Sequence, residues 1–278
     1  MILNFTKMHG LGNDYLYVDC TMYEPFDLPF DPCQVAIDVS PRYTSVGSDG
    51  LILICRSNCA DFMMRMFNAD GSEGKMCGNG IRCVGKFIHD KGLSPKLNLS
   101  VETLSGIKHL DLHLAEDGTV DLVTVDMGKA VSEEMSLTVN DTTYNGVSVN
   151  MGNPHFVNFI EEPVAKFPLE VVGPLMETNP AFPQGVNAEF VNCLDTGVMQ
   201  MRVWERGSAE TMACGTGACA VAVAAKVRNM PADANGLYHV RVKYGELQIR
   251  VDDEWNVTMT GPAAISFEGS FSEPHRRC

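Results

Sequence analysis

Two short stretches, MCGNGI at residues 76–81 and ACGTGA at residues 213–218, set a cysteine in the same Cys-Gly-x-Gly frame. Their thiols belong to Cys77 and Cys214, which are 214 − 77 = 137 residues apart in a chain of 278. Other landmarks pair at nearly the same spacing: Asn13 in HGLGNDYLYV with Asn153 in NMGNPHFVNF at 140, Asp49 in VGSDGLILI with Asn187 in QGVNAEFVN at 138, and Gly106 in VETLSGI with Gly245 in RVKYGEL at 139. Four ordered pairs at an almost constant offset are the mark of a duplicated unit. Two related domains are therefore expected, residues 1–128 and 129–264, with the tail 265–278 packing back on the first.

Within each half the pattern runs from short strands to one helix and back to strands. FTKMHGLGNDYLYVD, DGLILICR and ADFMMRMFNADG read as strands and turns, whereas IRCVGKFIHDKG places apolar residues at 81, 84, 87 and 88, a helical spacing closed by Gly92. KLNLSVETLSG, IKHLDLHLAEDG and VDLVTVDMG alternate as an antiparallel meander does. The counterpart helix, from Ala218 along ACAVAVAAKV, is apolar on every side and predicts full burial. The fold class that follows is α+β: two pseudo-twofold-related domains, each a curved mixed β-sheet wrapped around a central α-helix.

A formal net charge of −14 argues against polyanionic partners, so neither nucleic acid nor an anionic membrane is expected. The opening MILNFTKMHG lacks the basic flank and apolar core of a signal peptide, and no stretch approaches the roughly 20 apolar residues of a membrane span, which makes the cytoplasm the expected compartment. In that compartment most of the ten cysteines are expected to be small buried hydrophobes, namely Cys20, Cys33, Cys55, Cys83, Cys193 and Cys219. Cys59 and Cys278, beside polar neighbours, are expected at the surface. With no CxxC pair in the chain, no metal site is expected.

Cys77 and Cys214 are different, because each directly precedes a predicted buried helix. Backbone N–H groups and the positive end of the helix dipole lower a thiol pKa there and attract an anion, and the flanking glycines admit that anion close to the backbone. In a pseudo-twofold pair of domains both helix ends would point at one cleft. Two thiols on opposite sides of one carbon suit stereoinversion at an acidic C–H, one removing the proton and the other supplying it. Inverting an amino acid in this way needs no cofactor.

The motifs KMHGLGNDY, FNADGSE, MCGNGIRC, MGNPH and WERGSAETMACGTGA resemble those of the diaminopimelate epimerases over essentially the full length. The Glu-Arg before the second cysteine is the specific part; proline racemases and phenazine-type isomerases share Cys-Gly-x-Gly in altered form. The resemblance implies that Cys77 and Cys214 are the acid/base pair of a pyridoxal-independent epimerase interconverting L,L- and meso-diaminopimelate. It implies that backbone N–H groups around Gly78, Asn79, Gly215 and Thr216 hold the reacting α-carboxylate. Asn13, Asn68, Asn153, Asn187, Glu205 and Arg206 match substrate-binding positions, with Arg206 on the distal carboxylate, and His155 and Glu205 match positions that tune the thiols. The expected partners are a small amino-acid substrate and a second copy of the chain, as a homodimer. One departure stands out: many relatives carry glutamine where this chain has Gly50.

Overall fold

A computed structural model describes residues 2–272. The chain divides into two compact units, one taking the chain up to Val125 and again from Pro262, the other Asp126–Gly261. The first contains β1 (Ile2–Gly10), β2 (Asn13–Asp19), α1 (Pro32–Val39), β3 (Gly50–Cys55), β4 (Phe62–Asn68), β5 (Glu73–Gly74), α2 (Gly78–Asp90), β6 (Asn98–Thr103), β7 (Gly106–Leu114) and the larger part of β8 (Val120–Lys129). The second contains β9 (Val131–Val139), β10 (Thr142–Asn150), β11 (Pro154–Phe159), α3 (Leu169–Glu177), β12 (Asn187–Asp195), β13 (Val198–Glu205), β14 (Ala209–Glu210), α4 (Gly215–Val227), β15 (Tyr238–Val242), β16 (Gly245–Val251) and β17 (Asn256–Pro262). The last strand, β18 (Ala264–Ser272), belongs to the first unit.

Pairing is the same in both units. In the first, β18, β1 and β2 are antiparallel neighbours, β2 runs parallel to β3, β3 antiparallel to β4, β4 parallel to β6, and β6, β7 and β8 form a meander. In the second, β9, β10 and β11 are antiparallel, β11 runs parallel to β12, β12 antiparallel to β13, β13 parallel to β15, and β15, β16 and β17 close the series. The short β5 and β14 fold back on β4 and β13 just before the helices that follow.

Burial explains the positions of the helices. Along α4 the residues from Gly217 to Ala225 are all buried, as expected for a helix apolar on every face, and it packs on β10, β11, β12, β15 and β16. The helix α2 packs on β1, β2 and β7. Both begin at the glycine after the cysteine, so α2 starts three residues before the apolar periodicity signals it.

The structure adds an outer helix to each unit that the expectation of one central helix leaves out. Asp31 caps α1 by accepting from the N–H groups of Cys33 and Gln34, and Pro32 occupies its first turn. Its residues Val35, Ala36 and Val39 pack with Leu51, Leu53 and Cys55. In the second unit Leu169, Val172 and Met176 of α3 do the same with Ala188 and Phe190. With a helix on either side, β3 is buried along its whole length, hence the unbroken run GLILIC.

Two cysteine expectations are corrected. Cys33 lies on the solvent side of the first turn of α1, and Cys193 lies where β12 runs out past Val191 into exposed positions, so both are exposed. Cys20, Cys55, Cys83 and Cys219 are buried and Cys59 is exposed, while Cys278 lies outside the described residues. Among the described residues no helix is long and apolar enough to cross a membrane.

Candidate active site

In the first unit, the turn between β1 and β2 fixes the first polar group. Leu11 and Gly12 both take positive φ, 57° and 89°, the geometry of a tight hairpin turn, and this sets Asn13 at the start of β2. The Asn13 amide then does two things: its Oδ1 accepts from Cys77 Sγ at 3.2 Å and its Nδ2 donates to Asp49 Oδ2 at 2.7 Å. Arg42 in turn binds Asp49 at 2.6 Å and Asp14 at 2.7 Å. Cys77 itself is the N-cap of α2, with extended φ and ψ of −131° and 120°, and its Sγ accepts from the Gly80 N–H at 3.4 Å. Tyr15, two residues past Asn13, is buried beside this thiol; burial pushes its phenol up, and the Cys77 and Asp49 charges push the same way.

Two neighbouring residues are engaged locally. The Asn68 amide donates to Ser72 Oγ at 2.9 Å, and Asn79 Oδ1 accepts from Arg82 Nη2 at 3.1 Å. Arg82, wholly buried, also donates to the Gly78 carbonyl at 3.2 Å, which puts a guanidinium beneath the first turn of α2. Gly50 pairs with Asn68, and a Cβ added there would stand 2.0 Å from the Phe67 carbonyl oxygen. No side chain of any kind fits this backbone, which accounts for glycine at position 50.

The second unit builds its thiol site from the same elements. Cys214 caps α4 with φ and ψ of −112° and 111°, and its Sγ accepts from the Gly217 N–H at 3.3 Å. Thr216 Oγ1 stands 3.5 Å from Sγ and accepts from Asn153 Nδ2 at 3.3 Å. Asn153 Oδ1 faces His155 Nε2 at 3.0 Å, and His155 Nδ1 meets Glu189 Oε1 at 2.6 Å. Asn187 links the strands on the other side, its Nδ2 donating to the Pro154 carbonyl and its Oδ1 accepting from the Arg206 N–H at 3.0 Å. Arg206 Nη1 donates to the Gln184 carbonyl at 2.9 Å, and Glu205 accepts from the Thr211 hydroxyl.

Burial pushes the Cys214 thiol well above its ordinary range, and the carboxylates of Glu205 and Glu189 push it further; Thr216 and the Gly217 N–H pull the other way. Glu189 is itself raised by its own burial against the pull of His155. Among the described residues no group of three His, Cys, Asp or Glu side chains stands close enough to hold a metal ion.

The structure therefore joins Asn13 to Cys77, joins Asn153, His155 and Thr216 to Cys214, and ties Asn187 to Arg206. Sequence reasoning missed Tyr15, Asp49, Arg82 and Glu189 as site residues. A signal existed for Tyr15, which stands at the His155 position in the repeat register, and for Asp49, the counterpart of Asn187. Gly217 is a close approach beside Cys214: a Cβ there would stand 2.8 Å from Glu189 Oε1 and 3.2 Å from Cys214 Sγ. Gly217→Ala is expected to lower thermal stability by about 1–3 kcal/mol through this overpacking, and to slow alkylation of Cys214 relative to Cys77. A melting curve and a thiol map at unchanged values would remove the close contact from consideration.

The family Diaminopimelate epimerase matches residues 5–133 and 147–266. The chain belongs to this family. It is 46% identical over 282 residues to the diaminopimelate epimerase of Methanococcus maripaludis strain C5, covering 96% of this chain and 99% of the relative. It is 48% identical over 286 residues to that of Acetivibrio thermocellus, covering 96% and 98%. Among solved structures, a phenazine biosynthesis protein of the PhzF family from Bacillus anthracis superposes with a TM-score of 0.72 at 18% identity, over 98% of this chain and all (100%) of that one. A hydroxyproline epimerase from Agrobacterium vitis, with bound trans-4-hydroxy-L-proline, gives a TM-score of 0.72 at 14% identity, over 98% and 94%. These two show a shared fold.

Proposed function

We propose that this protein interconverts L,L- and meso-diaminopimelate by a two-base route that uses Cys77 and Cys214 and no cofactor. The observation that supports it most is the matched pair of thiols, each the N-cap of a glycine-led helix start, on a chain of this family. In each direction one thiolate takes the α-proton: the C–H bond breaks, an S–H bond forms, and the electron pair is left on the α-carbon, delocalised into its carboxylate. The other thiol returns a proton to the opposite face, its S–H bond breaking as the new C–H forms. The thiols end with their protonation exchanged, ready for the reverse direction.

The N–H groups of Gly78, Asn79, Gly215 and Thr216 hold the α-carboxylate and stabilise the charge that grows on it. Asn13, Asn68, Asn153 and Asn187 orient the amino acid, Arg206 takes the distal carboxylate as a two-pronged donor, and Glu205 and His155 tune the thiols. A homodimer in the cytoplasm belongs to the same reading and rests on the family resemblance.

The test is incubation of reduced protein with L,L-diaminopimelate in D2O. Deuterium at the α-carbon and appearance of the meso isomer, with no pyridoxal phosphate added, are expected. Absence of both from folded, reduced protein would reject the assignment.

A further inference from the structure

Neither the repeat nor the family motifs single out Glu189, yet it is wholly buried, as is His155, and the two meet at 2.6 Å. Its other oxygen, Oε2, is buried without a hydrogen-bond partner. A carboxylate so placed is costly unless a proton is shared with it, so the pair is stable either as carboxylate with imidazolium or as carboxylic acid with imidazole. In both forms the pair is neutral overall.

The far side of His155 gives this pair a direction. Its Nε2 faces an acceptor, Asn153 Oδ1, and so must carry hydrogen. With Oδ1 accepting, Asn153 Nδ2 donates to Thr216 Oγ1, which frees the Thr216 hydroxyl hydrogen for Cys214 Sγ when that thiol ionises. Every donor from His155 to Thr216 then points toward the sulfur. The geometry points to Glu189 as a positioning residue of the Cys214 thiol: it shares a proton with His155, keeps hydrogen on His155 Nε2, and thereby aims Asn153 and Thr216 at Sγ.

This inference rests on the reading of Cys214 as a proton carrier, and it is distinct from a bare charge effect. The groups that face Cys214 within its unit are Glu205 on β13, Glu189 on β12, and Thr216 and the Gly217 N–H on α4, with His155 on β11 behind Glu189. Because the Glu189–His155 pair is neutral, Glu189→Leu beside a neutral imidazole leaves the local charge unchanged and removes only the orientation. Glu189→Gln keeps it, since the amide can donate to Nδ1 and leave hydrogen on Nε2.

Two measurements that need no turnover decide the matter. Nitrogen-15 spectra of histidine-labelled wild type read the His155 tautomer, and alkylation by iodoacetamide against pH, followed by peptide mapping, reads Cys214 and Cys77 separately. Hydrogen on Nε2 is expected in the wild type. In Glu189→Leu the alkylation midpoint of Cys214 should rise by about one pH unit, a tenfold loss of thiolate at fixed pH, with Cys77 unmoved and Glu189→Gln close to wild type. A bare Nε2 in the wild type, a Cys214 midpoint that stays or falls in Glu189→Leu, or a Glu189→Gln variant that behaves like Glu189→Leu would each overturn the proposal. Should Glu189→Leu fail to fold, the wild-type tautomer and the Gln variant still decide. Loss of deuterium exchange with the expected tautomer intact would sink the epimerase reading alone.

Discussion

Alanine at Cys77 or at Cys214 is expected to lower turnover of L,L-diaminopimelate by about 10²–10⁴-fold or more, because each change removes the proton carrier on one face of the carbon. The fold should survive. Each cysteine acts as a helix cap through a sulfur that accepts one N–H, from Gly80 or Gly217, and losing a cap costs about 0.5–2 kcal/mol, a fraction of the stability of a domain. The variants should also differ from each other in an informative way. With one thiol left, α-hydrogen can still exchange with D2O on the face that thiol serves, without inversion, so one variant should label the L,L isomer and the other the meso isomer. Near-normal epimerisation by either variant would rule out the two-base mechanism.

Arg206→Ala and Arg206→Lys are expected to lose most of kcat/KM. The Arg206 backbone N–H is anchored on Asn187 and its Nη1 on the Gln184 carbonyl, which holds the guanidinium in place and leaves further donors to form a fork on a carboxylate. Lysine carries the charge but not the fork, so it should rescue little. Loss of such a pair costs about 2–5 kcal/mol, tens to thousands of times in affinity. Since binding at the distal end also places the reacting carbon, kcat should fall with affinity. Proline and alanine, lacking a second carboxylate, should be ignored by the wild type. Activity on either that rivals diaminopimelate would remove Arg206 from this role while leaving the thiol chemistry in place.

What the sequence reveals is what repeats. Cys77 and Cys214 stand out because a thiol before two glycines and a helix is rare twice over, and both prove to be helix caps. The strands of the two meanders stand out because one face is buried and the other wet, which writes a period of two into the chain. Glu189 was illegible for the opposite reason: β12 is covered on both sides at that point, so VNAEFVN shows no alternation and a buried glutamate looks like any strand polar residue. The outer helices were hidden by their shortness, although Asp31-Pro32 is a helix-start signal that could have been read. Arg82 sits inside an apolar helical pattern as a charge that invites assignment to the surface, and its burial is matched by acceptors on Gly78, Asn79 and Pro262 that the sequence does not reveal.

The pairing of β1 with β18, in register from Ile2 opposite Ser272 to His9 opposite Ala264, has a consequence for biosynthesis. A ribosome emits β1 before any of the second unit and its partner β18 after all of it, so the first unit carries an open sheet edge while the second is being made. The second unit, continuous from Asp126 to Gly261, has all of its strands before β18 leaves the tunnel. Order of folding is thereby inverted relative to order of synthesis: the later segment can close on itself while the earlier one waits for β18.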